Sequence, residues 1–133
     1  MTDNFGESWK SIVANLPQNN GVANVIREHH RNPNLLFVGT EYGAFFSTDK
    51  GGSWTKIKLN VPTVPVDDIL IHPRENDLIL GTHGRAIWIM DDITPLEQLT
   101  DAVVGSNVHL FDIRQAVQWR PWNNKPYTGD KIF

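Results

Sequence analysis

An internal repeat constrains this 133-residue chain more than any other feature, because each copy of a repeat must fold into the same unit. Residues 8–12 resemble residues 53–57, and a proline follows each segment at the same distance, which gives an offset of 45 residues. A second match, with an offset of 42 residues, relates 36–40 to 78–82. Two nearly equal offsets indicate a single structural unit that occurs more than once.

Short strands account for most of this unit. Apolar runs around Val25, at 35–39 and at 44–47 alternate with turn-forming segments, and residues 54–59 alternate polar with apolar in the manner of a half-buried strand. The unit is therefore predicted to be an antiparallel meander of four strands and three tight turns. A period of about 40–45 residues with four strands is typical of a β-propeller blade. The first three strands of the next unit are expected at 66–71, 78–82 and 86–90, with Ala86 matching Ala44.

The pattern changes after the third strand of the second unit. Thr94–Glu97 reads as a capping box with proline at the first helical position, and Gly105 is a plausible stop. These signals predict one short helix near 95–104, then a strand at 108–113. The remaining residues, 114–133, carry aromatic side chains with little periodicity and are expected to form an irregular tail.

The predicted fold class is all-β, with two antiparallel four-stranded blades of an incomplete propeller. Residues 1–93 are assigned to the two blade-like repeats, and residues 94–133 to the helix, one strand and a tail packed on the last blade. Forty percent apolar residues are enough to build a core for such a unit.

A turn motif with the spacing Ser-x-Asp-x-Gly-x-x-Trp occurs once in full and once in degenerate form, with asparagine in place of aspartate. The aspartate is expected to accept backbone N–H bonds across the turn, the glycine to take a positive φ, and the tryptophan to pack between turn and sheet. Each of these residues is therefore assigned a structural role. The full copy comprises Ser47, Asp49, Gly51 and Trp54, and the degenerate copy comprises Asn4, Gly6 and Trp9.

The motif resembles the Asp box of BNR-repeat β-propellers, and segments 34–41 and 81–92 are similar to blades of the sortilin-like and glycosyl-hydrolase-like members of that group. The resemblance covers roughly residues 1–100. Members of the group are longer and close a ring of many blades, so the chain resembles about two blades of a longer member. The resemblance implies that Asp boxes are structural and that ligands bind at the opposite end of the blades.

Strand parity places four polar residues at that opposite end. Alternate turns of a meander lie at opposite ends of a sheet, so the two second-to-third turns share one end with the connections at 18–21 and 61–65. An acid, a phenol, an imidazole and a cation there are candidates for ligand binding. The alternative is that they are ordinary turn residues, with the arginine paired to a carboxylate between the blades. The candidates are Glu41, Tyr42, His83 and Arg85.

Several function classes are disfavoured by composition. No cysteine is present, which excludes thiol catalysis and Cys-based metal sites, and the adjacent His29 and His30 are expected to point to opposite sides of a strand. Neither a metal nor a cofactor is expected. Twelve basic against 15 acidic residues disfavour a nucleic-acid binder, and no apolar run approaches the length of a membrane span. Without an export signal, the chain as written is expected to be cytoplasmic.

The functional expectation follows from the small number of repeats. A blade buries its faces only against neighbours, so two blades are expected to leave apolar flanks open at Phe37/Phe45 and Ile79/Ile87. The leading hypothesis is a non-enzymatic β module that forms homo-oligomers through blade packing or strand exchange. The alternatives are a carbohydrate-binding or glycosidase-related protein, and a scaffold that binds peptides. No complete catalytic set is recognisable, so enzymatic activity is left open and disfavoured.

Overall fold

Two antiparallel sheets make up most of the computed structural model, which describes residues 1–58 and 60–116. Both sheets are meanders in chain order, and within the described residues they form no closed barrel. The first sheet contains β1 (Ala23–Glu28), β2 (Leu36–Thr40), β3 (Gly43–Ser47) and β4 (Thr55–Lys56). The second sheet contains β5 (Val66–Ile71), β6 (Leu78–Thr82) and β7 (Ile87–Met90). A 3-10 turn (Val13–Asn15) precedes the sheets, and two short helices, α1 (Thr94–Glu97) and α2 (Asp101–Val104), follow them. The described residues are mostly β, which agrees with the all-β prediction at that level, but their second sheet has three strands rather than the predicted four.

The two sheets repeat one another in backbone detail. A bulge interrupts the pairing of the first two strands between Ala23 and Val25 in one sheet and between Val66 and Asp68 in the other. Thr82 Oγ1 donates to the carbonyl of Ala86 at 2.6 Å, as Thr40 Oγ1 donates to the carbonyl of Gly43 at 3.1 Å. Ala86 therefore corresponds to Gly43, and the match of Ala86 with Ala44 was wrong by one residue. The shift arises because the turn before β7 is one residue longer.

The main core lies between the two sheets, which stack face to face. Gly39 permits a close approach there, because an added Cβ would lie 2.7 Å from Val25 Cγ1 and 2.8 Å from the carbonyl oxygen of Val66. Arg27 ties the sheets together by donating to the carbonyl of Ile69 at 2.9 Å and to Asp68 at 2.7 Å. The buried side chains of this core are those of Leu35, Phe37, Ala44, Ile57, Val66, Ile69, Leu78, Leu80 and Ile93.

A second, smaller cluster covers the other face of the first sheet. Ile12 and Leu16 from the N-terminal segment pack on it, and the indole N–H of Trp54 donates to the carbonyl of Ile12 at 3.1 Å. The buried members of this cluster are Leu36, Val38, Phe45 and Trp54. Phe37 and Phe45 are both buried, on opposite faces, so the expected opening at this pair is wrong. Each face is covered by a different part of the chain.

The single helix predicted near 95–104 is replaced by two separate turns of helix. Glu97 does not reach back to cap the first turn, because its carboxylate is engaged by residues from both sheets, as described below. Thr100 is extended, with φ −115° and ψ 165°, and its side chain accepts from the N–H of Val103 to begin a new helix. Gly105 ends that helix as expected, although it does so with an ordinary φ of −81°.

The strand predicted at 108–113 is absent. Strands require pairing partners, and this segment pairs with neither edge of the second sheet, so that Val108, Leu110 and Ile113 are exposed. Residues 117–133, which include most of the predicted tail, and Leu59 of the predicted fourth strand lie outside the described residues. Among the helices of residues 1–58 and 60–116, none has the length and hydropathy needed to cross a membrane.

Candidate functional site

The turn between β3 and β4 is organised around the carboxylate of Asp49. Its Oδ1 accepts from the Ser47 hydroxyl at 2.7 Å and from the N–H of Ser53 at 2.8 Å, while Oδ2 accepts from the Ser53 hydroxyl at 2.8 Å. The N–H of Gly51 donates to Ser47 Oγ at 2.8 Å, and Gly51 has a φ of +81°, which glycine adopts without strain. Burial raises the pKa of Asp49, but the hydrogen bonds from Ser47, Ser53 and Gly52 outweigh it, so the pKa lies below its ordinary value.

The N-terminal turn around Asn4 reproduces this geometry with an amide. Asn4 Oδ1 accepts from the N–H of Ser8 and from the hydroxyl of Thr2, both at 2.9 Å, and Gly6 has a φ of +94°. The one reversal is that Asn4 Nδ2 donates to the Ser8 hydroxyl at 2.9 Å, where Asp49 accepts from Ser53. An amide therefore serves in the position of the carboxylate.

The two tryptophans of these turns differ sharply in burial. Trp54 is 8% exposed beneath the N-terminal segment, whereas Trp9 is 74% exposed. The expectation that Trp9 packs as Trp54 does is therefore wrong. Trp54 follows a sheet and is covered by Ile12, while residues 1–12 form no strand that could supply Trp9 with a similar surface.

The four ligand-binding candidates lie at the predicted end of the sheets. In the described part of the chain, no hydrogen bond or ion pair joins any two of them. Glu41 Oε2 accepts from the N–H of Val22 at 3.3 Å, and Tyr42 is exposed. His83 Nδ1 lies 3.3 Å from Asp67 Oδ2. The carbonyl of Arg85 accepts from the indole of Trp88 at 3.0 Å, and its guanidinium makes no ion pair with a described carboxylate.

Backbone hydrogen bonds agree with the predicted arrangement of the turns. At one end, Glu41 N–H donates to the carbonyl of Val22 at 3.2 Å, and His83 N–H donates to the carbonyl of Pro65 at 2.9 Å. At the other end, Lys50 N–H donates to the carbonyl of Asn34 at 3.0 Å. The second-to-third turns thus meet the connections between units, while the Asp49 turn meets the first-to-second turn.

A buried polar cluster that the sequence did not predict joins both sheets to α1. The N–H groups of Arg31 and Asn32 donate to His29 Nδ1 at 3.3 Å, so the proton of the neutral ring lies on Nε2. Nε2 lies 2.9 Å from Asn76 Oδ1 and 3.0 Å from Glu97 Oε1. Glu97 Oε1 also accepts from Arg31 at 2.7 Å and from Asn76 Nδ2 at 2.6 Å. The cluster fixes α1 across the ends of the two sheets.

The histidines of this region correct one further expectation. His29 and His30 do not point to opposite sides of a strand, because β1 ends at Glu28; their rings stack at 4.6 Å between centroids. Burial and the neighbouring His29 and Arg31 lower the pKa of His30. His29 and His72 each follow the first strand of their unit directly. This repeated placement was the sequence signal for their shared role, in which the ring Nδ1 accepts backbone N–H groups. His72 Nδ1 accepts from the N–H of Glu75 at 3.0 Å. Among the described residues, no three acidic or histidine side chains could together hold a metal ion.

An exposed apolar surface covers the side of the second sheet that faces away from the first. Its four side chains project from all three strands and are aligned by the pairings Leu70 with Ile79 and Ile79 with Ile89. Ile87 is 67% exposed and Ile89 is 60% exposed. We call this surface, formed by Leu70, Ile79, Ile87 and Ile89, the outer face.

A groove lies at the opposite extreme of the stack, where the N-terminal segment crosses the first sheet. It has a volume of about 280 Å³ and its walls are largely apolar. We call it the N-terminal groove; its walls include Ile12, Val13, Leu16, Ala23, Ile26 and Val38. The outer face and this groove are the two apolar surfaces that bound the stacked sheets.

Comparison with known proteins returns no match, whether with family models, with curated proteins or with solved structures. The geometry of the turns, the cluster and the two apolar surfaces therefore carries the functional conclusion.

Proposed function

We propose that the chain is a non-enzymatic β module, built from propeller-like blades of the Asp-box type, that associates with a second copy of itself by stacking sheet on sheet. The single observation that carries this proposal is the outer face. In each copy of the repeat, three matching positions on the second and third strands supply apolar side chains on the same side of the sheet: Phe37, Ala44 and Phe46 in the first copy, and Ile79, Ile87 and Ile89 in the second. In the first sheet Phe37 and Ala44 are buried and Phe46 is half-buried against the neighbouring sheet. In the second sheet Ile79 is half-buried, and Ile87 and Ile89 are exposed.

Matching residues of the two sheets differ strongly in exposed fraction, and this difference supports a binding surface at the outer face. Ala44, at the position of Ile87, is 3% exposed, and Phe37, at the position of Ile79, is fully buried. Burying a side chain such as isoleucine contributes about 1.5–3 kcal/mol, so covering several of them offsets much of the cost of association. A solvent-facing sheet normally carries polar residues on its exposed side, whereas this one carries four aliphatic side chains there beside the carboxylate of Asp68.

Stacking is favoured over strand exchange as the mode of association. The backbone N–H of Lys10 donates to the carbonyl of Met1 at 2.8 Å, and the N-terminal ammonium donates to the carbonyl of Lys10 at 2.9 Å. The N-terminal segment therefore already satisfies the backbone groups at Lys10 that strand exchange would require.

Light scattering coupled to size exclusion tests the proposal. A mass of at least twice 15.1 kDa at micromolar concentration is expected, with a return toward the monomer for Ile89→Glu. Val108→Glu is the matched control, because Val108 is an exposed aliphatic residue outside both sheets. A folded wild-type monomer at these concentrations, or equal effects of the two substitutions, would contradict the proposal.

A further inference from the structure

We infer, on the basis of the proposed function, that self-association is head-to-tail: the outer face of one copy docks into the N-terminal groove of the next copy. The two surfaces correspond to the two sides of the junction that already exists between the sheets of a single chain. The partner is thus a second copy of this chain. One copy contributes its outer face, and the other copy contributes its N-terminal groove.

The outer face corresponds to the side of the first sheet that forms the existing junction. Strand pairing fixes the correspondence, because Phe37 pairs with Phe46 as Ile79 pairs with Ile89. Gly39 pairs with Ala44 as Gly81 pairs with Ile87. Each outer-face side chain on β6 and β7 is therefore the counterpart of a residue that is packed against a neighbouring sheet.

The N-terminal groove corresponds to the side of the second sheet that completes the same junction. Ile26 occupies the position of Ile69 on the equivalent strand; Ile69 is 1% exposed and Ile26 is 46% exposed. Val38 occupies the position of Leu80 and is already buried, at 2% exposed, so the open part of the groove lies along β1. The groove therefore presents the same kind of surface, with its first strand still uncovered.

The residues that line the rest of the existing junction also have counterparts in the groove. Ile57 and Val61, from the connection between the sheets, pack in the existing junction. Ile12 and Leu16 occupy the matching positions in the repeat and pack on the first sheet beside the groove. The groove is thus half of a sheet-to-sheet junction, with the connecting segment already in place.

A glycine at the centre of the outer face leaves the space that such docking needs. At Gly39, the carbonyl of Val66 lies only 2.8 Å from where a Cβ would be. At Gly81, the nearest atoms to such a Cβ belong to Asp68 in the same sheet, at 3.7 Å, and no neighbouring sheet fills the space. Ala23 stands at the position of Val66, so the backbone of Ala23 in a second copy fits above Gly81.

The charged pair of the existing junction also has counterparts in the repeat. In the existing junction, Arg27 pairs with Asp68 at 2.7 Å. At the corresponding positions the repeat has Leu70 on the outer face and Val25 beside the groove. The two charges of the Arg27–Asp68 pair thus have aliphatic side chains as their counterparts.

A complementation experiment tests the direction of assembly. Ile89→Glu is designed to disable the outer face and Ile26→Glu to disable the groove. Both positions are exposed, so we expect both variants to retain the fold, which circular dichroism checks. We expect each variant alone to be monomeric. An equimolar mixture is expected to form a heterodimer of about twice 15.1 kDa, because one intact outer face and one intact groove remain.

The alternative outcomes separate this inference from the proposed function. If Ile26→Glu alone still dimerises and the mixture restores nothing, the copies associate face to face, and the head-to-tail inference is wrong while self-association stands. If the wild-type chain is monomeric, the proposed function itself is wrong. Val108→Glu, mixed with either variant, serves as the control for nonspecific effects of an added carboxylate.

Discussion

The Asp49 turn allows the energetic role of a carboxylate to be separated from that of its hydrogen bonds. Asp49→Ala removes an acceptor that receives three hydrogen bonds, from Ser47 and from the N–H and hydroxyl of Ser53. Hydrogen bonds to charged groups contribute about 1.5–3 kcal/mol each when buried, and less where solvent competes. Because this turn is partly exposed, we expect the free energy of unfolding to fall by about 2 kcal/mol rather than by the sum.

Asp49→Asn is expected to behave differently, because the chain already contains that arrangement. At Asn4 the amide oxygen accepts the same two bonds, and the amide nitrogen donates to the serine hydroxyl. The Ser53 hydroxyl can reverse its role in the same way. The free energy of unfolding should therefore fall by less than about 1 kcal/mol, which is the part that depends on charge.

The pH dependence gives an independent check. The pKa of folded Asp49 lies below the ordinary value of 3.8. Its charge-dependent contribution is therefore complete above the pKa of the unfolded chain and is lost as the pH falls through the lower folded value. The difference in stability between wild type and Asp49→Asn should thus shrink on acidification.

Urea unfolding followed by tryptophan fluorescence, at one protein concentration and several pH values, measures these differences. The reasoning is refuted if Asp49→Asn costs as much as Asp49→Ala, or if Asp49→Ala costs less than about 0.5 kcal/mol.

Two further substitution pairs test the packing between sheets and the buried cluster. Gly39→Ala should lower the free energy of unfolding by about 1–3 kcal/mol, because its Cβ would collide with the Val66 carbonyl. Gly81→Ala, with both proteins carrying Ile89→Glu to prevent association, should change it by less than about 1 kcal/mol; equal losses in urea unfolding would contradict the close approach. Glu97→Ala should cost about 2–3 kcal/mol by depriving buried groups of an acceptor, whereas Glu97→Gln, which keeps the acceptor oxygen, should cost about 1 kcal/mol. Similar losses for the two Glu97 variants, in thermal or urea unfolding, would show that charge alone matters.

The strands could be predicted because their signals are local and occur twice. Alternation, turn residues and the two offsets located all seven strands to within a few residues, and β4 alone is much shorter than predicted. The extra residue in the turn before β7 was not visible, because alanine occurs at both 44 and 86 and favoured the wrong alignment. The pairing of Gly81 with Ile87 and the hydrogen bond from Thr82 to Ala86 reveal the shift.

The remaining errors concern positions whose structure depends on distant residues. Trp9 and Trp54 have the same local sequence, but only Trp54 has a neighbouring segment to cover it. Glu97 has the spacing of a capping residue, yet its carboxylate meets His29, 68 positions earlier in the chain. A local pattern carries no information about such a partner. The four ligand-binding candidates were located at the correct end of the sheets, but sequence parity could not determine the distances between them.

The end of the second sheet explains why this chain presents an outer face. Ile93 N–H donates to the carbonyl of Asn76, as Lys50 N–H donates to the carbonyl of Asn34, so the chain enters both turns in the same way. The positions that follow are Gly51-Gly52 in the first unit and Thr94-Pro95 in the second.

This difference decides the route of the chain. Glycine at a φ of +81° allows a tight hairpin back along β3, whereas proline fixes φ near −65° and favours the first turn of a helix. Hydrogen bonding from Thr94 is the main reason that the pKa of Asp92 is lowered, so the aspartate now stabilises a helix start. Within residues 60–116 the second sheet consequently has three strands, and α1 is held at its end by Glu97. A difference of two residues in a repeated turn thus leads the chain away from the sheet, and among the described residues Leu70, Ile87 and Ile89 stay exposed.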